Sequence, residues 1–288
     1  MTTYVVPLDG SHCAERALWP AAAVASRTKG GRLLLVTCEH GGDRAGEDYL
    51  ADRAALYRDA VDVEVRVVPA EPDDGILGAV ADAARHGAAM LCMATHGHGG
   101  LRSVVLGSVA ERVVCRSTEP LLVVGPRSEA VLLPGQKGRM VLCSDGSEHA
   151  SAALPAAADV ARRLELAPWL VEVVPPDEAV AFADEPARNR QVEAADARLA
   201  DLGREIAGHG VTADHRVLHG ADVSGAIVRF AASLPASLVA LATHGRSGIA
   251  RVALGSVAMA VVRQAPCPVL VVRPAGIGPC APAGDAPG

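Results

Sequence analysis

A glycine-containing loop at residues 94–108 has the residue types and spacing of an anion-binding site. Residues 94–97 read Ala-Thr-His-Gly, nine residues follow, and Gly107 and Ser108 come next. Gly97 lacks a Cβ, so the backbone there can turn sharply and approach an anion closely. Ser108 begins a stretch with helical apolar spacing, and the N-terminus of a helix presents N–H groups to phosphate. The loop therefore predicts a phosphate cradle.

The same pattern occurs a second time. Residues 242–245 read Ala-Thr-His-Gly, and nine residues separate them from Gly255 and Ser256. No Gly-Lys-Ser/Thr of a P-loop is present, so phosphate here would be bound by backbone N–H groups and hydroxyls. A purely structural interpretation stays open, because glycines are common in turns and a serine before a helix often only caps it.

The two loops belong to a long internal repeat. Residues 95–124 match residues 243–272 at an offset of 148, with 16 of 30 positions identical, whereas residues 5–11 match 141–147 at an offset of 136. The difference of 12 (148 − 136) indicates an insertion in the middle of the second half. A period this long indicates duplicated domains. We predict one domain at 1–127, a second at 137–274, and a disordered Pro/Gly-rich tail at 275–288.

Short apolar runs, most of them continuous, predict strands that are buried on both faces of a sheet. The runs lie at 3–8, 32–38, 63–68, 89–94 and 120–124, and again at 139–144, 169–174, 212–217, 237–242 and 268–272. Stretches with helical spacing lie between them, including 12–28, 75–86 and the longer 187–208, which contains the insertion. This alternation predicts two tandem Rossmann-like α/β domains, each a five-stranded parallel sheet with helices on both faces.

Composition excludes several classes of protein. The net charge is −6, only two of 27 basic residues are lysines, and no basic tract occurs, which argues against nucleic-acid binding. Seven cysteines without a CxxC pair indicate reduced thiols of a cytoplasmic protein, and Cys115 and Cys267 are expected to be inert. The N-terminus lacks the features of a signal peptide, and no apolar run reaches the ~18 residues of a membrane span.

An aspartate follows the first predicted strand of each half, as Asp9 and Asp145, and both are followed by Gly-Ser. Parallel sheets bind ligands beyond the carboxyl ends of their strands, which favours a ligand role for these carboxylates. The alternative is that each aspartate caps the next helix. For the loop histidines, we favour loop structure or a phosphate hydrogen bond over a metal site, because no acidic partner lies at close spacing. Those histidines are His96, His98 and His244.

With both motifs present in both halves, the chain resembles the ATP-binding universal stress proteins. That family has Gly-x-x-Gly, nine residues and Gly-Ser/Thr at the fourth strand, and Asp-Gly-Ser after the first. The resemblance covers nearly all of residues 1–274, although the first glycine of the pattern is Ala94 in one half and Ala242 in the other. It implies two adenine nucleotide alpha hydrolase-like domains that bind ATP, and it leaves open whether Mg²⁺ accompanies the nucleotide. It also implies a regulator or sensor of the stress response.

The resemblance further implies which residues contact the nucleotide. The adenine and ribose would meet Asp9 and Asp145, their neighbours Pro7, Leu8, Cys143 and Ser144, and Thr37 and Val173 at the second-strand exits. The ribose and phosphates would meet Ala94, Gly97, Gly107, Ser108 and Val109 in the first half, and Ala242, Gly245, Gly255, Ser256 and Val257 in the second. Arg246 could pair with a phosphate or remain solvated. Because the second loop keeps the more typical Thr-His-Gly-Arg-Ser-Gly, its site is expected to bind at least as tightly as the first.

The last predicted strand of each half is an apolar edge candidate, at 121–124 and 269–272. In the family this strand pairs between domains, so we expect an intramolecular pseudo-dimer of the two halves and a homodimer of chains. Two alternative functions stay open. One is a slow ATP hydrolase, although no catalytic base lies beside an evident nucleophile. The other is a nucleotide-free dimerisation scaffold, which Ala94 and Ala242 would favour.

Overall fold

The computed structural model describes residues 1–38, 45–68, 72–95, 108–129, 138–175, 185–234, 236–243 and 254–273. The first half contains β1 (Thr2–Pro7), α1 (His12–Glu15), α2 (Leu18–Arg27), β2 (Gly31–Cys38), α3 (Ala45–Ala55), β3 (Asp62–Val68), α4 (Pro72–Arg85), β4 (Ala88–Ala94), α5 (Ser108–Arg116) and β5 (Leu121–Val124). The second contains β6 (Arg139–Ser144), α6 (Glu148–Arg163), β7 (Ala167–Val174), α7 (Glu185–Gly208), β8 (Asp214–His219), α8 (Val223–Ser233), β9 (Leu238–Ala242), α9 (Ser256–Gln264) and β10 (Val269–Val272).

These strands form a single ten-stranded sheet in the order β3-β2-β1-β4-β5-β10-β9-β6-β7-β8. Neighbouring strands within each half are parallel, whereas β5 and β10 pair antiparallel, with Val123 opposite Val269 and Leu122 opposite Leu270. The predicted tandem α/β architecture is confirmed, and so is the pairing of the two last strands. The halves therefore form an internal pseudo-dimer around the β5–β10 pair.

Helices cover both faces of the sheet, and each face has its own apolar cluster. One cluster contains residues of α1, α2, α3, α6 and α7, and the other contains residues of α4, α5, α8 and α9. Each cluster runs through both halves of the chain. Strands buried on both faces explain why their sequences are continuous apolar runs. No helix in the described part is both long and apolar enough to cross a bilayer.

The first helical stretch differs from the prediction of one helix over 12–28, because it is divided into α1 and α2. In the continuous α6, Pro155 lies eight positions after the capping Ser147, whereas Pro20 lies nine positions after the capping Ser11. The first half therefore has one more residue between the cap and the proline. One extra residue in an unbroken helix would rotate everything after it by about 100°. The break lets α2 keep its alanines buried against the sheet, and Pro20 is tolerated because it lies in the first turn of α2.

The insertion predicted for the second half enlarges one crossover helix. Helix α7 has 24 residues, and its first-half counterpart α3 has 11. It ends at Gly208, as predicted, and Gly210 beyond it has a φ of 78°, in the left-handed region that often terminates helices. Despite these additional helical turns, the five strands of the second half have the same order as those of the first half.

Candidate functional site

In each half, the first strand lies between the second and fourth strands. β1 pairs with β2 on one side and β4 on the other, and β6 lies likewise between β7 and β9. The chain leaves the first strand in one direction along the sheet and the fourth strand in the opposite direction. A crevice outside the carboxyl ends of two such strands is where open α/β sheets bind ligands. Each half therefore has one candidate crevice.

The Asp-Gly-Ser turn lies at one side of the first crevice. The Ser11 N–H donates to Asp9 Oδ1 at 2.9 Å, and Ser11 Oγ accepts from the Ala14 N–H at 3.1 Å. Gly10 between them has a φ of 78°. The capping residue of α1 is therefore Ser11, and the alternative in which Asp9 caps the helix is wrong. The exposed Asp9 instead holds the serine and stands at the rim of the sheet.

The second half repeats this turn. Asp145 Oδ1 accepts from the Ser147 N–H at 3.0 Å and from its hydroxyl at 2.5 Å, and Ser147 Oγ accepts from the Ala150 N–H at 3.2 Å. Gly146 has a φ of 74°, and its N–H donates to Ser144 Oγ at 3.1 Å. Ser147 is thus the cap of α6. The bonds orient the partly exposed Asp145 in the same way as Asp9.

The other side of the second crevice is the end of β9 and the start of α9. The Thr243 N–H donates to the Val272 carbonyl at 2.9 Å, and the Gly255 N–H donates to the Thr243 carbonyl at 2.9 Å. Gly255 is the N-cap of α9 and makes no side-chain cap bond, so the interpretation of Ser256 as the cap is wrong. Ser256 and Val257 are exposed. The first N–H groups of α9 consequently lie beside the end of β9.

Two further features of this end of the sheet bear on the site. A Cβ added at Gly255 would lie 3.3 Å from the Thr243 carbonyl oxygen, which favours glycine there. Ala242, where the family pattern has glycine, is the last residue of β9 and is partly exposed. The first half matches as far as it is described, because Ala94 ends β4, the Thr95 N–H donates to the Val124 carbonyl at 3.2 Å, and α5 begins at Ser108.

Several predicted site residues fall outside the described part of the chain. These are Gly97, Gly107, Gly245 and Arg246, the side chains of Ser108 and Val109, and the three loop histidines. Among the residues that the structure does describe, no group of three or more His, Cys, Asp or Glu side chains is placed to hold a metal ion.

Thr37 joins the carboxyl ends of the first two strands. Its buried hydroxyl donates to the Leu8 carbonyl at 2.8 Å. The strand register pairs Pro7 with Val36 and Cys143 with Val171, so the second-half counterpart of Thr37 is Glu172. The predicted correspondence with Val173 is therefore wrong by one residue, and strand alternation places Val173 on the opposite face of the sheet.

Glu172, at the position equivalent to Thr37, was missed by the sequence reasoning. Its side chain is buried. The guanidinium of Arg198 in α7 donates one hydrogen bond to each carboxylate oxygen, from Nη2 to Oε1 at 2.5 Å and from Nε to Oε2 at 3.2 Å. The hydrogen bond to Glu172 raises the pKa of Arg198. In the first half a Cβ added at Gly46 would lie 3.3 Å from Thr37 Cγ2, so small groups meet where the second half has an ion pair. A glutamate inside the apolar run 169–174 was the available signal.

Cys143, near the carboxyl end of β6, and Cys267, which precedes β10, are not activated nucleophiles. Burial raises the pKa of the thiols of Cys143 and Cys267 to about 12, so both are protonated at neutral pH. Cys13 and Cys92 have free thiols as well. The expectation that Cys115 is a free thiol is wrong, because it is disulfide-bonded.

Comparison with known proteins agrees with this arrangement. A family model described as the universal stress protein family matches residues 39–125 and 138–273. A universal stress protein of Methanocaldococcus jannaschii is 49% identical over 47 residues, which are 16% of this chain and 28% of that protein.

Two solved structures share the fold over nearly the whole chain. A universal stress protein from Archaeoglobus fulgidus has a TM-score of 0.66 and 18% identity, covering 94% of this chain and 98% of its own. A putative universal stress protein from Pseudomonas aeruginosa UCBPP-PA14 has a TM-score of 0.62 and 16% identity, with 96% and 94% covered. The likeness extends over both halves, so those chains share the tandem architecture.

Proposed function

The chain belongs to the universal stress protein family, and we propose that each of its halves binds ATP in the crevice between its first and fourth strands, as a regulator or sensor of the stress response. The observation that carries this proposal is the duplicated Asp-Gly-Ser turn, which holds a carboxylate at the point where strand order reverses in both halves. The free thiols of Cys13, Cys92, Cys143 and Cys267 are compatible with a cytoplasmic location, and the disulfide of Cys115 is an exception to that pattern.

The proposed roles follow from the chemistry of the groups. Asp9 and Asp145 are acceptors, so each can receive hydrogen bonds from ribose hydroxyls or the amino edge of adenine. The N-terminal N–H groups of α9 and the exposed Ser256 hydroxyl would meet the phosphates of the second nucleotide. With only two lysines in the chain, phosphate recognition would depend on these neutral donors and on the helix dipole.

Calorimetric titration with ATP tests the proposal, with and without Mg²⁺. We expect micromolar binding of about two nucleotides per chain, and loss of both when Gly97→Val and Gly245→Val are combined, because a bulky side chain would block the backbone approach. Gly78→Ala is the matched control, since an added Cβ there meets nothing within 4 Å. A folded parent that binds no ATP would contradict the proposal and favour the nucleotide-free scaffold.

Gly97→Val alone leaves the second site and Gly245→Val alone leaves the first, so the ATP affinities of the two sites can be measured separately. The comparison tests whether the second site binds at least as tightly as the first. Phosphate release from the same samples tests the hydrolase alternative. Turnover above background that disappears with Asp145→Asn or Ser256→Ala would favour hydrolysis. Binding without turnover would leave a binding module, which is the function proposed here.

A further inference from the structure

Arg273 extends from the end of one half into the other. It follows β10 directly, its side chain is buried, and its Nη2 donates to the carbonyls of Val114 at 2.8 Å and Cys115 at 3.0 Å. Both carbonyls lie in the last turn of α5, where helical carbonyls lack intrahelical partners. Arg273 of the second half therefore caps the C-terminus of a first-half helix.

The pseudo-dimer also has the equivalent contact in the other direction, from the end of β5 in the first half to α9 in the second half, but its chemistry is different. At the offset of 148 residues, the counterpart of Arg273 is Gly125 and the counterpart of Val114 is Val262 (273 − 148 = 125; 114 + 148 = 262). A Cβ added at Gly125 would lie 1.9 Å from the Val262 carbonyl oxygen, so this glycine packs directly on the last turn of α9. Each strand end thus meets the helix of the opposite half, and of these two described contacts the one with α5 supplies a cation.

Helix α5 connects this contact to the first candidate site. Its nine residues begin at Ser108, where the phosphates of the first nucleotide are proposed to bind. A cation at a helix C-terminus complements the helix dipole, and two bonds from one guanidinium fix the direction of the helix end. Because a short helix moves as a rigid rod, fixing one end also fixes the position of the N–H groups at the other.

We propose that Arg273 is a positioning residue of the first nucleotide site, supplied by the second half of the chain. The proposal rests on the proposed function of that site. Under this proposal the two sites differ in their dependence on Arg273. Loss of the guanidinium should weaken ATP binding at the first site and leave ATP binding at the second site unchanged. A contact that only held the halves together would not discriminate between the sites.

The experiment measures ATP affinity in backgrounds that keep one site. Gly245→Val leaves the first site, and Gly97→Val leaves the second. Adding Arg273→Gln to Gly245→Val should weaken binding about tenfold, or about 1.4 kcal/mol, and adding it to Gly97→Val should change affinity by less than about twofold. Arg273→Lys should fall between parent and Arg273→Gln, since an ammonium keeps the charge but is a more strongly hydrated group on a flexible stem.

Arg163→Gln is the matched control for a loosened interface. Arg163 also reaches from the second half to the first, donating to Thr2 Oγ1 at 2.5 Å, but it lies on α6, which packs on the face of the sheet opposite to α5. It should leave both affinities unchanged. Equal weakening of both sites, no effect of Arg273→Gln, or an equal effect of Arg163→Gln would overturn the proposal.

Two further results remain distinguishable. If Gly245→Val with Arg273 intact binds no ATP, the proposed function of the first site has failed, and the role of Arg273 falls with it. If circular dichroism shows that Arg273→Gln does not fold, the proposal is tested by comparing the ATP affinities of the parent and of Arg273→Lys at each site. A weaker first site with an unchanged second site supports the proposal, and equal affinities at the first site overturn it.

Discussion

Gly10 and Gly146 have φ values of 78° and 74° at the same point of the two halves. A residue with a Cβ is strained in this region, so the turn between Asp and Ser depends on glycine. The turn is what joins a rim carboxylate to a helix N-terminus, because the serine bonds to both. At the scale of single residues, folding and the proposed nucleotide binding therefore depend on the same three-residue segment.

Gly146→Ala should lower the free energy of unfolding by about 1 kcal/mol, the usual cost of a left-handed alanine. It should also weaken ATP binding at the second site, because the Asp145 carboxylate would turn with the strained backbone. Urea unfolding and titration in the Gly97→Val background measure the two effects. Gly208→Ala is the control, since a Cβ there at the end of α7 meets nothing within 4 Å. An equal loss of stability in that control would contradict the argument.

Tyr4 should make the fold sensitive to alkaline pH. Its hydroxyl is 2.6 Å from Thr28 Oγ1, and burial raises the pKa of Tyr4 from 10 to about 12. The unfolded chain loses this proton near pH 10. The contribution of the protonated Tyr4 to the free energy of unfolding is therefore fully present below pH 10 and is lost between pH 10 and 12. Tyr4→Phe should cost about 1 kcal/mol at pH 8 for the lost hydrogen bond and flatten the decline above pH 10.

Urea unfolding from pH 8 to 11.5 checks this prediction. Thr28→Val is the matched control, because it removes the hydrogen-bond partner and leaves the phenol buried. That variant should keep the alkaline decline, since the buried phenol still has to lose its proton. Parallel curves for parent and Tyr4→Phe above pH 10 would show that this phenol is not responsible.

At the scale of elements, the inner strands of the sheet could be predicted because burial on both faces leaves a local signature, a continuous apolar run. The strand register could not be predicted, because it depends on pairing between distant segments. The correspondence of Thr37 with Val173 failed for this reason, and one residue of slip changes the face of the sheet. The contact of Arg273 with α5 was equally hidden, because it joins residues 159 positions apart and no local pattern marks it.

Gly125 shows how closely two elements of different halves approach. Its Cα lies against the Val262 carbonyl in the last turn of α9, where backbone rather than a flexible side chain is the neighbour. Neither partner can move without displacing its own strand or helix. The close approach therefore fixes how α9 lies on the junction between the halves.

Gly125→Ala should lower the free energy of unfolding by about 2–3 kcal/mol, as overpacked sites do. The cost arises because an added Cβ would stand 1.9 Å from the Val262 oxygen. Gly78→Ala in the exposed face of α4 is the control and should stabilise by about 0.5–1 kcal/mol, since alanine favours helices. Thermal and urea unfolding measure both changes. A neutral Gly125→Ala would mean that the halves are not held at this distance.

At the scale of the whole molecule, the pairing of β5 with β10 consumes the edge that each half would otherwise expose. The sheet then ends at β3 and β8. Charged side chains such as Glu64 and Arg66 on β3 and Asp214 and Arg216 on β8 are typical of edges protected from further pairing. A homodimer of chains would therefore use a surface other than the one that joins the halves, and analytical ultracentrifugation tests whether it forms.

Because both apolar clusters run through both halves, we expect the chain to unfold as one cooperative unit. Pulsed hydrogen exchange at increasing denaturant, read by mass spectrometry, should give the same midpoint for the amides of β1 and β6, the central strands of the two halves. Gly125→Ala should lower both midpoints equally, although the substituted residue belongs to the first half. Two separated midpoints would show instead that the halves are independent domains, and the β5–β10 pair would then be a docking contact rather than part of a common core.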